Sequence, residues 1–287
     1  SAASLTVSTT SDLGANVTTS GTQTYTGAVT LSANDTFTTT ANGSVSFGGA
    51  IDGNATGKTL TISTNGTGDT TFTGAVGATN ALGNITITTD VLTAAAIKLA
   101  GTLSITNGGA SSITGIISDG ASAAALTAAG TATLTLSGVN TYTGVTTINS
   151  GATLALSTAG AIASSSSVAA NGTFDISAVT TSASIVTLSG SGTTTLGGKL
   201  LTITNGSTTF SGAMNGTSGQ LTISGGTETL SGNNGYTGAT TINSSATLAL
   251  TGSGAIASSS SVAANGTFDI SGTTSGASIV TLSGGGT

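Results

Sequence analysis

The stretch LSGVNTYTGVTTINSGATLAL, residues 136–156, returns as LSGNNGYTGATTINSSATLAL at 230–250. The match extends beyond the quoted passage. Residues 136–193 align without gaps on 230–287 at a constant shift of 94, and 46 of the 58 positions are identical. Repetition on that scale makes the chain an array of like units. A shorter period runs inside the units. An aromatic residue, a small one and a Gly recur in TYTGAV at Tyr25, SFGGAI at Phe47, TFTGAV at Phe72, NTYTGV at Tyr142, TFSGAM at Phe210 and GYTGAT at Tyr236. The closest neighbours, Tyr25 to Phe47, Phe47 to Phe72 and Phe210 to Tyr236, share a spacing in the low to middle twenties.

Between these motifs run KTLTIST, NITITTD, ATLTLSG and LLTITNG, with an apolar side chain at every second position. A period of two marks strands with one buried face. Short strands, Gly and Asn punctuation and a period in the low twenties predict an all-β chain. The expected fold is a right-handed parallel β-helix, or β-solenoid, with coils of about 20–26 residues. Asn-Gly pairs at 42, 65, 107, 171, 205, 215, 234 and 265 are expected to supply positive-φ corners. Residues 1–287 read as one continuous solenoid: degenerate coils over 1–112, a first clear repeat unit over 113–209 and a second, truncated one over 210–287. A β-sandwich array with a 94-residue module is the alternative.

Composition narrows the chemistry. The 287 residues include 45 Gly but no His, Cys, Pro or Trp, and only 4% are charged. Zero Cys excludes disulfides and thiolate metal sites. A net charge of -6 with three Lys and no Arg argues against nucleic acid as a partner. No apolar run is long enough for a membrane-spanning helix. The opening SAASLTVSTT lacks the features of a signal peptide and is compatible with a mature end left after cleavage.

ITGIISDG (113–120), ALTAAGTATLTLSGVNTYTGVTTINSGATLAL (125–156) and SVAANGTFDIS (167–177) resemble the autotransporter-associated β-strand repeat. The resemblance is strong over about 113–287 and weak over 20–110, where only the aromatic-Gly motifs carry it. It implies a β-helical passenger of a large bacterial surface protein, secreted to the cell surface. The signature residues are Tyr25, Phe47, Phe72, Tyr142, Gly144, Phe210, Gly212, Tyr236 and Gly238. Two departures stand out: LTAAGTA and LTISGGT replace the usual Lys-Thr-Gly segment, and Val145 or Ala239 replaces the second Gly of YTGG. No translocator barrel with aromatic girdles is present in the sequence.

Enzyme chemistry has little to work with, so no catalytic residue is expected. The acids are Asp12, Asp35, Asp52, Asp69, Asp90, Asp119, Asp175, Glu228 and Asp269, and the cations Lys58, Lys98 and Lys199 are scattered. A polysaccharide-active β-helix would need such groups clustered. Asp12 to Asp119 recur near once per coil, so a stacked edge holding Ca²⁺ is conceivable; solvated turn acids and no cofactor are the expectation. Tyr25, Tyr142 and Tyr236 could form a sugar-binding ladder, but packing at one corner of successive coils is favoured. The serine runs at 164–167 and 258–261 lack a basic partner and read as polar corner. The expected role is structural, a rigid stalk of an adhesin or autotransporter-like protein. The alternative is a self-assembling subunit of a filament, sheath or surface layer. Neither terminus reads as a polar cap, so the expected partners are a continuing chain or another copy, end to end, with cell-surface or carbohydrate contact as a further option.

Overall fold

The computed structural model describes residues 2–287. It consists of strands and turns, and the described residues contain no helix. All named strand pairings are parallel, which removes the β-sandwich alternative with its antiparallel sheets. The chain divides into two compact units, the first ending at Gly144 and the second spanning Val145–Thr287.

Three parallel sheets wrap the first unit. Sheet A contains Val17–Thr19, Asp35–Thr39, Leu60–Ser63, Ile85–Thr89, Thr102–Asn107 and Ala125–Ala128. Sheet B contains Leu5–Val7, Gln23–Tyr25, Val45–Phe47, Thr70–Phe72, Leu92–Ala94, Ser111–Ile113 and Thr133–Leu136. Sheet C is formed by Ser11–Leu13, Val29–Leu31 and Ile51–Gly53. It continues through a bridge at Val76 to Ile97–Leu99 and Ile117–Asp119. The chain visits B, C and A in turn, so neighbours in a sheet are one coil apart. On sheet A the register steps from Val17 to Phe37, Ile62, Ile87, Ile105 and Ala128, so successive coils differ in length while the strands stay aligned. The alternation places those apolar side chains inward, and Phe37, Ile62, Ile87 and Ile105 are 0% exposed. Each such burial contributes about 1.5–3 kcal/mol, while the coils on either side satisfy the backbone.

The second unit also has three faces. Face P starts with Thr146–Ile148, Val168–Ala170 and Leu188–Ser189. It passes through the Gly190–Phe210 bridge to Thr209–Phe210, Gly226–Leu230, Ala246–Gly252 and Thr267–Thr273. Face Q holds Thr153–Thr158, Thr173–Val179, Thr193–Thr195 and Ala213–Asn215, and continues at Asn233 and Ala255. Face R holds Ser182–Ile185, Leu200–Ile203, Gln220–Ile223, Thr240–Ile242, Val262–Ala264 and Leu282–Ser283.

The 94-residue repeat and the coil do not share a period. Thr146–Ile148 lies on face P, but its copy Thr240–Ile242 lies on face R; Thr153–Thr158 lies on Q and its copy, 247–252, on P. Successive coils carry face P from Thr146 through Val168 and Leu188 to Glu228, and the remainder of the shift, from Glu228 to Thr240, crosses two more faces. The second copy is therefore set back by one face. Local structure is nonetheless reproduced, down to a register shift between Ala155 and Ser157 in one copy and between Ala249 and Thr251 in the other.

Candidate functional site

Tyr25, Phe47 and Phe72 end three consecutive strands of sheet B and stand in register. Their rings stack, with centroids 5.0 Å apart for Tyr25–Phe47 and 5.5 Å for Phe47–Phe72, while Phe37 meets Tyr25 and Phe47 edge-on. The Gly two residues on explains the rest of the motif. A Cβ at Gly27, Gly49 or Gly74 would overlap the backbone of Thr9–Thr10, Gly27–Ala28 or Gly49–Ala50, one coil back. The motif is thus a corner: inward ring, backbone-to-backbone contact, small outward residue, next inward residue.

Other members of the set use that chemistry elsewhere. Phe210 pairs with Leu230 on face P, and a Cβ on Gly212 would overlap Gly192 and the Phe210 ring. Tyr142 and Tyr236 lie outside any strand, six residues beyond Leu136 and Leu230. Gly144 and Gly238 are closed against Ala124 and Gly219. Tyr25, Tyr142 and Tyr236 are 0%, 1% and 0% exposed, so they cannot offer rings to a sugar. The exposed tyrosine ladder is thereby excluded, and the three rings do not share one corner. Burial pushes the Tyr25 phenol up to about 12 and raises that of Tyr236 despite its hydrogen bond to Thr240.

The Asn-Gly expectation is corrected too. Asn42 (φ 59°) and Gly66 (φ 60°) take positive φ, but the other pairs do not. Gly172, Gly206 and Gly266 instead sit where a Cβ would strike main-chain atoms of Ala152, Glu228 and Ala246. There glycine serves close approach rather than backbone handedness.

One serine of each run packs inward, while its neighbours in the run are exposed or half-buried. Ser165 and Ser259 are 1% exposed; they bond Thr146 and Thr240 at 2.9 Å, and the carbonyls of Ser167 and Ser261 at 3.0 Å. Tyr236 Oη extends the second chain at 2.7 Å from Thr240 Oγ1.

The acids do not form one column. Asp12, Asp52 and Asp119 lie on sheet C, Asp35 opens a strand of sheet A, and Asp69 and Asp90 occupy turns. Thr30 separates Asp12 from Asp52 in the register. Among the described residues no three His, Cys, Asp or Glu come together as a metal site. The carboxylates brace turns: Asp52 accepts from the N–H groups of Thr79 (2.8 Å) and Asn80 (3.2 Å), and Asp69 from that of Val91 (3.1 Å). Burial pulls the Asp119 pKa upward, but bonds from Thr143 and Ala124 outweigh it and leave it below the ordinary value. Burial raises Asp35, against the backbone of Ala33 and the Lys58 charge.

Glu228 is different. It shares the inward phase of Leu230 on Gly226–Leu230, is 0% exposed and pairs in register with Leu248. Thr187 Oγ1 lies 3.1 Å from Oε2, and Oε1 has no hydrogen-bond partner. Burial pushes the carboxyl from 4.5 to about 8, an effect that Thr187 and the nearby N–H groups of Leu188 and Ser207 offset only in part. A proton on Glu228 closes the local hydrogen count. Thr208 gives its hydrogen to the Leu188 carbonyl (2.6 Å), Thr187 can then give its own to Thr208 (2.6 Å), and the carboxylic acid supplies Thr187. The sequence held a sign of this in GTETL, where Glu228 alternates in phase with Leu230.

These pieces form an interior and its corners. Residues 126–156 and 225–250 match the family model of the passenger-associated-transport-repeat. These two segments are passenger-type repeats. They cover the Leu136–Leu156 passage and its copy, including Tyr142 with Gly144 and Tyr236 with Gly238. Comparison with curated proteins and with solved structures gives no match. Among the described residues no helix is long and apolar enough to cross a membrane.

Proposed function

We propose that this chain is a structural, non-catalytic stretch of the passenger of an autotransporter-type surface protein, serving as a stalk that presents adhesive parts away from the cell. The passenger-type repeats at 126–156 and 225–250, laid on parallel solenoid coils, carry the reading. The scattered acids and lysines, and the inward packing of Ser165 and Ser259, agree with a structural role. The repeat type supports secretion to the bacterial surface.

Electron microscopy of native cells with a labelled antibody to this segment tests the reading. Isolated surface stalks without an axial lattice support the passenger. An ordered fibre or sheet built from the chain would replace it with the self-assembling subunit, and label confined to the cell interior would refute both.

A further inference from the structure

The outward side of sheet A is unusual within the first unit. Thr18, Thr38, Ser63, Thr88 and Thr106 form one column in continuous register. Thr36, Thr61, Thr86, Ser104 and Thr127 form a second, two residues away along each strand. All ten positions carry a hydroxyl, and all ten are exposed or half-buried. No bulge interrupts the sheet, although the coil from Ile87 to Ile105 is shorter than those from Phe37 to Ile62 and from Ile62 to Ile87; the differences are taken up in the turns. The other sheets do not offer this. Sheet B presents a single outward column because its strands are short, and sheet C carries Asp12, Asp52 and Lys98 facing out. In the second unit the hydroxyl column of face R runs beside Leu200 and Gln220.

Geometry and chemistry restrict what such a surface can hold. Coils recur at about 4.8 Å, and alternate residues of a strand at about 6.7 Å, giving a rectangular lattice of methyl and hydroxyl groups. Thr is stiff at χ1, so the lattice is ordered before anything binds. None of the ten hydroxyls has a partner within the described residues, whereas the inward Thr39 and Thr64 spend theirs on the carbonyls of Gly43 and Gly68. No charge lies on these outward positions to hold disordered hydration. A crystalline polysaccharide of comparable repeat would be gripped through exposed rings, and the Tyr and Phe rings of this unit are buried. Ordered water, whose lattice repeats fall in the same range, has no such need. We infer that the outward face of sheet A binds ice, its threonine ranks holding water in a lattice that merges with the crystal surface.

The test uses the full 287-residue chain and needs no partner. Protein is partitioned between a slowly growing ice front and the liquid, and thermal hysteresis is read on the same sample. The wild type is expected to concentrate in the ice fraction severalfold over a non-binding control protein. Thr86→Tyr, on sheet A, is expected to bring partitioning down to that control. Thr93→Tyr, on sheet B of the same coil and equally exposed, is expected to leave it unchanged. Circular dichroism establishes that both variants keep the strand signal; if Thr86→Tyr does not, Thr61→Lys takes its place. Wild-type partitioning no better than the control overturns the inference, as does equal loss in the two variants. Retention on microcrystalline cellulose or chitin without retention in ice overturns it in favour of a polysaccharide.

Discussion

Glu228→Gln isolates a carboxyl that the fold holds fully buried, in phase with Leu230. The native group titrates at about 8 against 4.5 when free. At 1.36 kcal/mol per pH unit that difference amounts to about 5 kcal/mol, a large share of a typical stability of about 5–15 kcal/mol. The sign follows from proton counts. Between pH 4.5 and 8 the folded state holds a proton that the unfolded state has released. The stabilisation is therefore full below 4.5 and is lost as pH rises through 8. No charged side chain lies on the flanking strands Thr209–Phe210 and Ala246–Gly252 to share the effect. The glutamine keeps the size and the hydrogen bond to Thr187 and stays neutral throughout. Wild type and variant should be nearly equal at about pH 5, with the variant ahead by several kcal/mol at about pH 9. Denaturant melts followed by circular dichroism would measure this, with hydrogen exchange on Gly226–Leu230 locating the effect. A difference that stays flat across that range would refute the buried-acid reasoning.

Four further substitutions probe the corners. Phe47→Ala removes the middle ring of a three-ring stack and should cost about 3–5 kcal/mol in chemical denaturation. Gly49→Ala forces a methyl into the Gly27–Ala28 backbone and should cost about 1–3 kcal/mol, whereas Gly57→Ala has open space and carries only the strain of φ 86°. Asn234→Ala strips the buried N–H of Met214 of its 2.9 Å acceptor and removes one of the two donors to each of the Gly232 and Ala255 carbonyls, which keep their backbone bonds; a loss of about 1–3 kcal/mol is expected, read as faster exchange at Met214.

Much of this architecture could be read from alternation alone. Segments such as NITITTD and LLTITNG fall on strands Ile85–Thr89 and Leu200–Ile203 with the expected residues inward. The aromatic-Gly motif marked corners, because a ring and a missing Cβ together leave a trace in the sequence. It did not say which corner, since Tyr25 ends a strand and Tyr236 follows one by six residues. Asn-Gly was ambiguous for a related reason: glycine answers both a positive φ and a close backbone, and the pair looks the same in either case. Asp12 to Asp119 recur at nearly coil spacing, yet coils of unequal length scatter that spacing over different faces and turns. Glu228 escaped notice because a lone acid among Thr and Ser reads as solvent-facing until its phase against Leu230 is compared.

The one-face setback of the second copy bears on how such a chain is recognised from outside. A molecule that grips a surface pattern on one copy finds the same pattern on the next turned by a third of a revolution, out of reach of a flat approach. Copies added at this interval would wind any encoded mark around the axis like a screw thread, returning to its starting side only on the third recurrence. An antibody or receptor could then engage few copies at once, while the interior, indifferent to which face a segment occupies, would accept each addition without repacking.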